Sequence, residues 1–100
     1  MQRKITINFK GLEKPIELSL AVGDKRKTGQ EYSNKFADAK DQDERVQIAI
    51  EFLSKMTNYT KEEIDSCLTD FELIDLFFTA YGDEESLTRV MKRIGNTATE

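Results

Sequence analysis

The sequence predicts an α+β fold, mainly α, with an N-terminal β-hairpin packed on a bundle of four to five short helices. Three observations point there. Apolar and polar residues alternate over the first twenty positions. From residue 31 onward apolar residues recur at spacings of three and four. Hydroxyl–glutamate pairs stand three residues apart where helices would begin. With 100 residues, 38% apolar and 34% charged, the chain can bury roughly two-thirds of its unfolded surface by size scaling alone. That is one modest core, so a single domain is expected over residues 1–95, followed by a polar tail at 96–100.

The hairpin is read over residues 3–20. Ile5, Ile7 and Phe9 alternate with Lys4, Thr6 and Asn8, and beyond Gly11–Pro15 the alternation resumes in Ile16, Leu18 and Leu20. Period-two spacing puts these apolar side chains on one face, and a lone two-stranded ribbon is marginal in water, so that face needs helices against it. Pro15 is tolerable at the start of the second strand, where it removes only an edge donor. Residues 21–30 hold two glycines and the run Lys25-Arg26-Lys27 without apolar periodicity, which predicts an exposed basic loop.

Tyr32, Phe36 and Ala39 predict a helix over 31–40. Asp41 with Glu44 gives a start signal for a second over 43–57, whose inner face is Val46, Ala49, Ile50, Leu53 and Met56, widened by Ile48 and Phe52. Thr60 with Glu63 and Thr69 with Glu72 open two more, over 60–68 and 70–81. The first faces inward through Ile64, Cys67 and Leu68. The second stops at Gly82, a residue type suited to a left-handed C-cap. A last helix over 84–94 carries Leu87, Val90, Met91 and Ile94 and stops at Gly95.

Composition narrows the chemistry. The sequence has no His, and its one cysteine, Cys67, allows neither an internal disulfide nor a thiolate cluster. Asp41-x-Asp43 resembles the opening of a calcium loop, but Val46 stands where the sharp turn needs Gly and Phe52 where a bidentate Glu belongs. Asp83-Glu84-Glu85 is what the positive end of a helix dipole favours. No phosphate loop, dinucleotide fingerprint or nucleophile elbow is present. A non-enzymatic protein is therefore expected, with no cofactor, no metal and no small-molecule substrate.

Net charge is −4, which disfavours nucleic acid as a partner. The charge is uneven. Residues 1–40 carry nine basic and five acidic side chains, and residues 41–100 carry six and fourteen. No apolar run reaches the ~20 residues of a membrane span, and the N-terminus lacks a signal-peptide pattern. A membrane partner is not expected, and a cytoplasmic location with a reduced Cys67 is.

The richest segment is Phe71–Tyr81, in which eight of eleven residues are apolar. At about 100° per residue, Phe71, Ile74, Phe78 and Tyr81 fall on one side and Leu73, Leu76, Phe77 and Ala80 on the other. Either this helix is central and covered twice by its own chain, or one face stays open to a partner. The width of the 43–57 arc favours an open face. The expected self-association or partner surface is Phe52, Leu73, Leu76 and Phe77.

In size, order and composition the chain resembles the tail assembly chaperones of long-tailed phages of Gram-positive bacteria. The residues that carry the resemblance are Lys4-Ile5-Thr6-Ile7-Asn8-Phe9, Pro15-Ile16-Glu17-Leu18, and Thr60-Lys61-Glu62-Glu63-Ile64-Asp65 through Phe71-Glu72-Leu73-Ile74-Asp75. The resemblance implies a protein that binds the long, helical, apolar tape measure protein in the host cytoplasm and keeps it soluble. It further implies action as a homo-oligomer and absence from the finished virion. The alternative is a small monomeric regulatory or inhibitory adaptor that binds a folded partner through its charged surface.

Overall fold

A computed structural model describes residues 3–93. Two strands, β1 (Lys4–Ile7) and β2 (Ile16–Ser19), pair antiparallel with Ile5 opposite Leu18 and Ile7 opposite Ile16. A short 3-10 turn over Gly23–Lys25 leads into α1 (Arg26–Asp38), followed by α2 (Gln42–Met56), α3 (Lys61–Cys67), α4 (Asp70–Thr79) and α5 (Glu84–Arg93). The fold is mainly helical α+β, as the alternation and capping signals predict.

Sequence chemistry sets the element ends. Gly11, in the turn between the strands, has φ 96°, a region side chains avoid. Asp41 accepts the Glu44 amide at 2.9 Å, and Glu44 reaches back to the Lys40 amide. Thr60 with Glu63, and Thr69 with Glu72, each form a complete reciprocal cap. Past α4, the Asp83 amide donates to the Phe78 carbonyl and the Gly82 amide to Thr79, with Gly82 at φ 87°. This is the Schellman closure that a glycine stop signals.

The largest difference from the sequence reading lies at residues 21–30. Only its first part is irregular. The helix begins at Arg26, and Gly29 is buried in it. A methyl group at Gly29 would stand 2.8 Å from the Ala21 Cβ and 3.2 Å from the Tyr81 ring. The missing side chain is itself a packing contact, which apolar periodicity cannot register. Residues 94–100, including Ile94, Gly95 and the polar tail, lie outside the described residues.

The core is built around α2, which packs on α1, α3 and α4 and also touches β2. Phe52 sits at its centre, fully buried, with Tyr32 at 5.5 Å, Phe77 at 5.0 Å and Tyr81 stacked on it at 5.5 Å between ring centroids. The hairpin's Ile7, Phe9, Ile16 and Leu18 join the same core, each worth about 1.5–3 kcal/mol on burial. Asn58 fastens the outer edge of β2 to the loop after α2. It accepts the Glu17 amide at 2.9 Å and donates to the Pro15 carbonyl at 3.2 Å.

Candidate partner-binding surface

The caps at both ends of α4 fix where the helix starts and stops. The structure covers the side expected to be open. Phe52, Leu73, Leu76 and Phe77 are at most 2% exposed, so all four belong to the core and none is available to a partner. The physical reason is cover supplied by α1 and the helices around α4. The Phe36 ring of α1 stacks on Phe77 at 4.4 Å, while α2 and α5 pack on other sides of α4.

The opposite side of α4 is partly open, most at Phe71 and less at Phe78 and Tyr81, whose rings also touch Phe77. Phe71 is 71% exposed, Phe78 and Tyr81 are each 37% exposed, and Ile74 is half-buried. Phe71, Ile74, Phe78 and Tyr81 stand at i, i+3, i+7 and i+10, which makes one strip along the helix.

Two neighbouring elements hold this strip in place. On one flank, Phe78 meets the Phe36 ring edge-on at 5.3 Å. The Tyr81 hydroxyl donates to the Gly29 carbonyl, so α1 anchors the strip's C-terminal end. Burial pushes the Tyr81 phenol up to about 12, opposed by the Ser33 amide. On the other flank, Asp75 is buried beside the strip and takes Arg89 Nε of α5 at 2.9 Å. The Arg89 fork also reaches the Ser86 hydroxyl at 3.1 Å.

The ends of the strip are acidic. Asp70 and Glu72 flank Phe71, and Asp83, Glu84 and Glu85 follow Tyr81. Asp83 opens α5 by accepting the Ser86 amide at 2.9 Å, which holds its carboxyl below the ordinary range. Asp83-Glu84-Glu85 is thus a helix start, and among the described residues no group of three or more His, Cys, Asp or Glu is placed to hold a metal.

Two further expectations change. Cys67 is exposed, not inward-facing, because α3 ends there and Leu68 takes the buried position instead. Met91 is 55% exposed while Val90 of the same helix is fully buried, so α5 contacts the body through a narrower stripe than the spacing suggests. No described helix is long and apolar enough to cross a membrane.

The sequence groups the residues of the open strip on one side but does not mark that side as the open one. Phe71 lies in the first turn of α4, two residues after the capping Thr69, and Phe78 repeats its position two turns on. Compared with protein-family models, with curated proteins and with solved structures, the chain has no match in any of the three.

Proposed function

We propose that this chain is a non-enzymatic phage tail assembly chaperone that holds the helical, apolar tape measure protein in solution on the outer face of α4. The observation that carries the reading is the strip Phe71, Ile74, Phe78 and Tyr81, with helical spacing and fixed flanks. An amphipathic helix laid along such a strip matches its ridge by three- and four-residue spacing, and aromatic anchors dominate contacts of this kind. The acidic residues at both ends favour a partner whose apolar stripe is bordered by Lys or Arg. Several copies spaced along one long helical partner account for the oligomeric behaviour that the sequence resemblance implies.

The test is to read the genes flanking this one and to co-express the chain with any long helical protein encoded there. The wild-type chain should raise the partner's soluble fraction and co-purify with it. The double variant Phe71→Asp/Phe78→Asp should keep its helical spectrum at reduced stability, since Phe78 loses its contacts with Phe36 and Phe77, and should lose both effects; Phe71→Asp alone, at an exposed position, should weaken both without loss of stability. If the double variant retains them, the face is wrong. If the neighbouring genes encode no such protein, the chaperone reading fails and the adaptor reading takes its place.

A further inference from the structure

A second site lies away from α4, where the outer face of the hairpin meets the end of α2. Lys4, Glu17 and Ser19 of the hairpin, Lys25 of the 3-10 turn, and Lys55 through Asn58 line an open cleft of about 260 Å³. Ser19 stands opposite Lys4 in the ladder and, by strand alternation, faces away from the core that takes Leu18 and Leu20. It is nevertheless only 8% exposed, because the cleft wall covers it. Among the described residues its hydroxyl has no hydrogen-bond partner. A covered hydroxyl that gains nothing from the protein is costly unless something from solution takes its hydrogen bond.

The charges around it say what that is. Three lysines face one glutamate, an excess of two positive charges. Lys4 is only loosely paired to Glu17, at 3.9 Å, and among the described residues Lys25 and Lys55 have no carboxylate within ion-pair distance. Lys25 is half-buried, so its charge is held close to the cleft. The wall is rigid. Asn58 is tied to β2 through both ends of its amide, and the Thr57 hydroxyl is committed to the Leu53 carbonyl at 2.6 Å. Lysine charge and the Ser19 hydroxyl are left for a ligand.

We propose that this cleft binds a phosphate-type dianion, with Lys25 and Lys55 neutralising its charge and the Ser19 hydroxyl donating to one oxygen. A phosphate group carries close to two negative charges at neutral pH and several strong acceptor oxygens, which matches the cleft's excess charge.

The experiment titrates inorganic phosphate into the isotope-labelled full chain at constant ionic strength, following backbone amides by NMR, with acetate as the monoanionic control. The expected result is saturable movement centred on Ser19, Lys25 and Lys55. The Lys25→Ala/Lys55→Ala variant, which removes the two ammoniums that would neutralise the ligand, should weaken binding by about tenfold or more. Ser19→Ala should weaken it by about threefold to tenfold while leaving the amide spectrum of the core unchanged. The proposal is overturned if shifts rise linearly and spread over Lys10, Arg26 and Lys27, if the double variant titrates like wild type, or if acetate saturates the same amides as tightly.

Discussion

Replacing Phe77 by Ala separates the core face of α4 from its open face. Phe77 is 1% exposed and its ring lies 4.4 Å from Phe36, 5.0 Å from Phe52, 5.2 Å from Tyr81 and 5.4 Å from Phe78. Truncating a buried phenylalanine costs about 3–5 kcal/mol through lost transfer energy and the cavity left behind. Four aromatic neighbours, each worth about 0.5–1.5 kcal/mol beyond burial, put this site at the upper end. Against a total of about 5–15 kcal/mol for a domain of this size, that is a large share. At a urea slope of about 2 kcal/mol per molar, the unfolding midpoint should fall by about 2 M. Phe71→Ala is the control, since at 71% exposure its change should stay within about 0.5 kcal/mol. The assay is urea unfolding followed by far-ultraviolet circular dichroism. A Phe77→Ala loss below about 1 kcal/mol, or a Phe71→Ala loss as large as that of Phe77→Ala, would refute the assignment of faces.

Gly29→Ala adds a methyl group 2.8 Å from the Ala21 Cβ. It should therefore destabilise by about 1–3 kcal/mol in the same assay, despite the better helix propensity of Ala. Arg89→Ala leaves Asp75, 6% exposed, without its partner at 2.9 Å. Leaving that carboxylate unpaired should destabilise the chain in the same assay, by less than a fully buried pair would because the arginine side chain is half-exposed. All three tyrosines have phenols raised above their ordinary value, chiefly by burial, and Tyr81 reaches about 12. A raised folded-state value means stability that is complete below pH about 10 and is lost as pH climbs through the folded-state values. An alkaline titration at 295 nm should show tyrosinate appearing above pH 10 and together with loss of helix. A separate ionisation near pH 10 in the folded chain would contradict the packing of these rings.

Much of the fold is legible because its signals are local. The hairpin follows from alternation alone, and Thr60, Thr69 and Gly82 mark helix ends through hydrogen bonds that close within three to five residues. The start of α1 is not local. Gly29 is read as a loop residue, yet it is required because Ala21 and Tyr81, eight and fifty-two residues away in sequence, close on it. The reading of α4 is inverted for a different reason. Periodicity divides Phe71–Tyr81 into two apolar sides but carries no information on which side receives cover. In the fold Phe36 of α1 covers Phe77, and Leu73, Leu76 and Phe77 turn inward with Phe52. The Asp75–Arg89 pair is equally hidden, because both residues read as ordinary surface charges until α5 folds back on α4.

The central claim is that the outer face of α4 receives a helical partner. It is tested most directly by titrating the partner's helical segment into the isotope-labelled chain and mapping the amides that move. The account predicts changes centred on Phe71, Ile74, Phe78 and Tyr81, with smaller ones at Ser33 on the flank of α1, all abolished in Phe71→Asp/Phe78→Asp. Changes centred on the Lys4, Lys25 and Lys55 cleft or on the outer side of α3, with α4 silent, would contradict it.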